Sequence, residues 1–215
     1  MKITLIGATG MIGSHLLNEA LQRGHVVTAL VRNIDKLPTH THLQACSVDV
    51  NDVDALSAAL KDHEAVLYAY KPNKAQDMPT RIGDHARAIS STILAMKAAG
   101  VKRILAVGGA GTLEAEPGVL NMHSAKFPPR WEGGAKSTAM VKDLLKYEPD
   151  LDWTVLCPAH LLEPGERTGQ FRLGLDQMII GADGESRISV GDYAVAMIDE
   201  LEQAKHTGRR FTVGY

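Results

Sequence analysis

Three glycines, Gly7, Gly10 and Gly13, recur at every third position of the run GATGMIG, between the apolar stretch ITLI and the helix-like SHLLNEALQRG. The chemistry this spacing suits is anion binding. A helix N-terminus offers unpaired amide N–H groups and a partial positive charge, and together these attract a diphosphate. A side chain would hold the phosphates off, so Gly10 lets the backbone approach them and Gly13 lets the helix pack close to the strand. Thr9, Met11 and Ile12 sit in the same turn and are assigned to the same site. A tight turn also needs glycine for steric reasons alone, so the motif gains weight from its place at the first strand-to-helix junction.

A dinucleotide site needs further groups at the ends of later strands. At the end of the second strand an acidic residue would accept hydrogen bonds from ribose hydroxyls, whereas an arginine accommodates a 2′-phosphate. The run ALVRN puts Arg32 there, which favours NADPH, with NADH as the alternative because Asp35 lies close by. Asp49 and Val50 end the third strand, where an adenine contact is expected, a capping aspartate being the rival explanation. Tyr70 follows the fourth strand, and Gly108, Gly109 and Ala110 follow the fifth, where backbone passes the ribose and nicotinamide; glycines at an ordinary bend would read the same.

The elements that must position these residues alternate strictly. Strand-like runs KITLIG, HVVTALV, LQACSVDV, EAVLYAY, RILAVGG, DWTVLCPA and RRFTVGY are separated by helical stretches, and most are apolar throughout, as in strands covered on both faces. Helices are expected over residues 14–23, 53–61, 81–99 and 135–148, the first and third closed by Gly24 and Gly100 and the second capped by Asn51 or Asp52. Alternating strand and helix predicts an α/β fold: a doubly wound parallel, Rossmann-like sheet, here as one domain over residues 1–215. Two irregular segments, about 112–134 and 160–187, follow strands and so lie at the carboxyl edge of the sheet, where they are expected to form a small substrate region.

With 45% hydrophobic and 22% charged residues and a formal net charge of -2, the chain has no broad attraction for nucleic acid or anionic membrane. It has no long apolar span, and the expected address is cytoplasmic. The two cysteines, Cys46 and Cys157, read as core thiols, and His40 and His42 lack the third ligand a metal site requires.

The glycine spacing resembles that of the short-chain dehydrogenase/reductases, and the resemblance implies that carbonyl-alcohol chemistry would need a Tyr-x-x-x-Lys pair on the helix after the fifth strand, where i, i+4 spacing puts both groups on one face. AKSTAMVKDLLKYE holds Lys136, Lys142 and Lys146 with no tyrosine four residues earlier. The literal match, Tyr70 and Lys74, follows the wrong strand and encloses Pro72. This leaves hydride transfer to an acceptor that needs little acid catalysis, and flavins and quinones fit that description.

On KITLIGATGMIGSHLLNEALQRGHVVTALVRN, VGGAGTL, WTVLCPAHLLEPGERTGQFRLG and ISVGDYAVAMIDELE, nearly the whole chain resembles the atypical short-chain dehydrogenase/reductases with an NmrA-like NAD(P)H-binding domain. It is similar in particular to the NADH-flavin and biliverdin/flavin reductases. The resemblance implies an NAD(P)H-dependent reductase with FMN or FAD as a substrate. Pro158 and His160 match two positions of a Pro-Pro-His in that branch, which makes His160 the candidate catalytic residue, while Ala110 stands where the branch has serine. Trp131 and Phe127 would stack on a flat substrate or cover the core. A small-molecule acceptor is thus the expected partner. Two other readings stay open: a non-enzymatic dinucleotide sensor, and an epimerase-like enzyme using bound NAD.

Overall fold

The computed structural model describes residues 1–73 and 75–215, so Lys74, one half of the literal Tyr-x-x-x-Lys match, lies outside the described residues. Twelve strands are described: β1 (Lys2–Ile6), β2 (Val26–Val31), β3 (Leu43–Ser47), β4 (Ala65–Tyr68), β5 (Arg103–Val107), β6 (Glu114–Glu116), β7 (Val119–Leu120), β8 (Asp152–Pro158), β9 (Leu161–Glu163), β10 (Arg172–Gly174), β11 (Arg187–Ser189) and β12 (Arg209–Gly214). The helices are α1 (Met11–Gln22), α2 (Val53–Leu60), α3 (Met78–Ala99), α4 (Glu132–Lys146) and α5 (Val190–Gln203). All seven expected strands form. They join β10 in one eight-stranded sheet of order β10-β12-β8-β5-β4-β1-β2-β3, parallel except for the β10–β12 pair.

Side-chain alternation divides each central strand between two cores. In β4, Ala65 and Leu67 face the layer of α1 and α5, while Val66 and Tyr68 face the layer of α2, α3 and α4. Leu16 and Leu17 of α1 and Ile89 and Met96 of α3 are almost wholly excluded from solvent, each contributing about 1.5–3 kcal/mol relative to exposure. Helix ends follow their expected chemistry: Gly24 and Gly100 take φ of +79° and +74°, and the Asp52 carboxylate accepts from the Ala55 amide at 3.0 Å.

Several expectations are corrected. Helix α1 begins at Met11 rather than residue 14, so Gly10 is its N-cap and Gly13 lies inside its first turn. Strand β3 is an edge strand, with Gln44, Ala45 and Ser47 exposed, and Cys46 is accordingly half-buried; only Cys157 is fully buried. The two segments expected to be irregular carry short strands: β6 and β7 form a small antiparallel pair, and β9 and β11 pair in parallel. These runs of two or three residues are too short for alternation to reveal.

The second of those segments is strapped to the helices. Asp192 of α5, wholly buried, accepts from the Thr168 and Gly169 amides at 2.8 and 2.7 Å and from the Thr168 and Tyr215 hydroxyls at 2.6 and 2.7 Å. Arg167 donates through Nε and Nη2 to Glu19 of α1 at 2.7 and 2.8 Å. Those bonds hold the Glu19 carboxyl below its ordinary range.

Candidate active site

Parallel register brings the strand ends together. Ile6 lies beside Leu30 on one side and Tyr68 on the other, and Tyr68 lies beside Ala106. The residues that follow, Gly7, Arg32, Tyr70 and Gly108, therefore share one edge. Successive strands β1 to β3 run one way from this point and β4 lies the other way, which opens the crevice where doubly wound sheets bind ligands.

Two cavities fill that crevice. The smaller, about 410 Å³, is lined by Gly7, Thr9, Gly10, Arg32, Asp49, Val50 and Tyr70. The larger, about 710 Å³, is lined by Gly10, Met11, Ile12, Gly13, Tyr70, Gly108, Gly109, Ala110, Pro158 and His160. Apart from Asp35, every residue assigned above to the cofactor or to catalysis thus borders one cavity or the other, and Gly10 and Tyr70 border both.

The three glycines of the opening turn have different reasons to be glycine. Gly7 takes φ of +88°, and a Cβ there would come within 2.5 Å of the Ala69 carbonyl oxygen. A Cβ at Gly13 would collide with the Gly7 carbonyl oxygen. Gly10 has φ of -78°, and its Cβ would meet only the Gly7 oxygen, at an ordinary 3.4 Å. The protein's own packing therefore accounts for Gly7 and Gly13 but not for Gly10. Helices α2, α3 and α5 are capped by Asp52, Asp77 and Ser189; α1 and α4 have no side-chain cap, but α4 carries Glu132 in its first turn whereas α1 has no acidic residue there. An uncapped N-terminus behind a glycine with room for a side chain suits a diphosphate.

Gly108 and Gly109 tell the other story. A Cβ at Gly108 would lie 2.6 Å from Cys157 Sγ, and one at Gly109 would collide with Thr138 Oγ1. Packing against β8 and α4 is sufficient reason for both, although they line the larger cavity. At the other end, Asp49 Oδ1 accepts from the Asn51 amide at 2.9 Å, so this carboxylate also stabilises the turn leading to α2. Asp35, the acidic alternative to Arg32, does not border the smaller cavity.

Across the larger cavity stands an aromatic wall. The Trp131 and His160 rings meet edge-on at 4.7 Å between centroids, and Phe127 lies edge-on to both, at 6.5 Å from Trp131 and 6.2 Å from His160. Burial lowers the basicity of His160, with Glu185 opposing, so the imidazole is neutral near pH 7. On α4, Thr138 stands four residues before Lys142, the spacing of the expected pair. The Thr138 hydroxyl donates to the Gly134 and Ala135 carbonyls at 3.1 Å, and Lys142 lies 3.5 Å from Asp143.

Sequence reasoning missed His85, Ser137 and Asn121. His85 is 3% exposed, with Nδ1 2.7 Å from Ser137 Oγ, and its ring stacks on Tyr68 and tilts over Tyr70, both at 5.8 Å. A signal was present, because residue 85 precedes Ile89 by four and so falls on the buried face of α3. For Asn121, inside an irregular segment, no local signal exists.

The profile of the family described as NAD(P)H-binding matches residues 7–201. An uncharacterized Bacillus subtilis protein, YwnB, is 38% identical over 99% of this chain and 98% of its own length. Among solved structures, a Bacteroides thetaiotaomicron protein named "putative epimerase" is 43% identical, with a TM-score of 0.91, over 100% of this chain and 96% of that one. A Streptococcus pneumoniae protein named "putative NADH-flavin reductase" is 30% identical, with a TM-score of 0.85, over 100% and 99%. Among the described residues, no helix is long and apolar enough to cross a membrane. With a glycine-lined cavity at the switch point of a doubly wound sheet, the chain belongs to the NAD(P)H-binding family of atypical short-chain dehydrogenase/reductases, and its cofactor is a nicotinamide dinucleotide.

Proposed function

We propose that the protein is an NADPH-dependent reductase that passes hydride to a flat conjugated acceptor, a flavin or a quinone. The observation that carries this reading is the pairing of an aromatic-walled cavity with the absence of a proton-shuttling tyrosine on α4, whose corresponding Thr138 hydroxyl is committed to helix carbonyls. When bound, the reduced nicotinamide supplies the hydride. The amides of the first turn of α1 and Gly10 hold the diphosphate, and Arg32 meets the 2′-phosphate. Pro158, Ala110 and the Gly108–Gly109 bend shape the cavity floor. Trp131 and Phe127 would offer ring surface on the cavity wall against which a flat acceptor could be held beside the donor, and such positioning is most of the catalysis this kind of transfer needs. A conjugated acceptor spreads the incoming charge over its ring and takes its proton from water, so no strong acid is required.

The test is steady oxidation of NADPH on adding FMN, FAD or a quinone. Binding without turnover for all three would reject the reductase reading in favour of a dinucleotide sensor. Arg32→Ala is expected to weaken NADPH by about 1.5–3 kcal/mol, the range for a hydrogen bond to a charged group, while barely changing NADH. Calorimetric titration of the two cofactors checks this, and equal losses for both would remove Arg32 from the 2′-phosphate site.

A further inference from the structure

Asn121 is 4% exposed and sits at the end of the β6–β7 hairpin, a segment with no evident part in cofactor binding. Its Nδ2 contacts two groups: the Ala110 carbonyl oxygen at 3.3 Å and His160 Nδ1 at 3.2 Å. The first contact fixes the amide's orientation, because only its nitrogen can face a carbonyl favourably. The second contact then constrains the imidazole. An amide NH₂ can donate but not accept, so the His160 nitrogen facing it must carry a lone pair rather than a proton.

We infer that Asn121 is a positioning residue that holds His160 in its neutral Nε2–H tautomer, making the ring an N–H donor on the wall of the larger cavity. With Nδ1 committed to Asn121, the ring's remaining polar atom is Nε2, which has no hydrogen-bond partner among the described residues. The Trp131 and Phe127 rings fix the plane of the imidazole from the α4 side, and the His160 amide donates to Ser186 Oγ at 3.2 Å from the loop before β11. Among the described residues, Glu185 from that same loop is the charge that bears on the ring, and the cavity that the ring borders is also lined by Glu163 on β9 and by Lys71, Arg81 and Arg130. Of these, Glu185 favours the imidazolium, whereas burial and the Asn121 amide both oppose it. A neutral donor suits an acceptor whose carbonyl oxygen gains charge as hydride arrives, since it stabilises that charge without first surrendering a proton. That use rests on the reductase reading; the tautomer does not.

The experiment is nitrogen NMR of the full-length protein labelled with ¹⁵N-histidine, without cofactor, using His160→Gln to identify the His160 signals. At pH 7 the expected spectrum has Nδ1 in the unprotonated range and Nε2 in the protonated range, with a titration midpoint below the ordinary value of about 6.5. Asn121→Asp places a carboxylate against Nδ1 and is expected to move the proton there and raise the midpoint by about one pH unit or more. A protonated Nδ1 in the unaltered protein, or a midpoint that Asn121→Asp leaves in place, would overturn the assignment. The first measurement needs no variant of Asn121, so misfolding of the substituted chain cannot hide the answer. Should the tautomer be as stated while NADPH oxidation fails with every acceptor, the Asn121 assignment stands and the reductase reading falls.

Discussion

Gly13→Ala is expected to cost about 3 kcal/mol of stability, while Gly10→Ala keeps the fold and weakens cofactor binding. A methyl group at position 13 would be driven into the Gly7 carbonyl oxygen, a backbone atom that cannot rotate away. Overpacking of that kind typically costs about 1–3 kcal/mol, and rigid backbone puts this case at the upper end. For a chain of this size the melting temperature should fall by about 6–12 °C. At position 10 the methyl group meets nothing closer than 3.4 Å and the backbone is already in a common extended conformation, so stability should change by no more than about 1 kcal/mol. The space it fills is where the diphosphate would approach the α1 amides. Dinucleotide affinity should drop by about 10- to 100-fold, equivalent to losing one hydrogen bond to a charged group. Thermal melts and calorimetric titrations on the two variants check both halves. Wild-type affinity in Gly10→Ala would remove the helix terminus from the binding site.

Acidification should expose the buried histidine of α3. Burial is the main cause that pushes the His85 imidazole down to about 4, with the charge of Lys71 acting in the same direction and a hydrogen bond to the Ser137 backbone opposing. In the unfolded chain the same ring titrates near 6.5. Between these two values the unfolded state carries a proton that the folded state refuses, so stability rises with pH through this window and is lost as pH falls from about 6.5 toward 4. The full separation is worth about 3 kcal/mol. Glu19 and Asp192, whose carboxyls are held low by their hydrogen bonds, begin to lose their contribution only as pH falls through the ordinary carboxylate range, at the acid end of this window and below it. His160 titrates low as well, so the contribution of His85 is isolated by difference: His85→Phe should flatten the slope of urea-unfolding free energy against pH by about that amount between pH 6.5 and 4. Parallel profiles for the two proteins would mean that His85 is protonated in the folded state or is not buried.

His85 also shows how the site divides between what was legible and what was not. That Gly7, Gly10, Gly13, Arg32, Asp49 and Tyr70 share one edge of the sheet was legible because each follows a strand whose apolar run is readable on its own. In a parallel sheet those strand ends fall side by side by construction. His160 was reached through a resemblance and Trp131 through its residue type, but neither reading contained their edge-on contact. Edge strand β10 was hidden, since three residues pairing antiparallel with β12 leave no pattern.

The parallel character of the sheet and its first turn are therefore matters of sequence alone. They rest on local demands, a strand's apolar run or a glycine whose Cβ would strike a carbonyl six residues away. The acceptor side belongs to the tertiary structure. Asn121 meets His160 across 39 residues and His85 meets Ser137 across 52, and such contacts depend on how layers and loops pack, for which no spacing along the chain carries a signal.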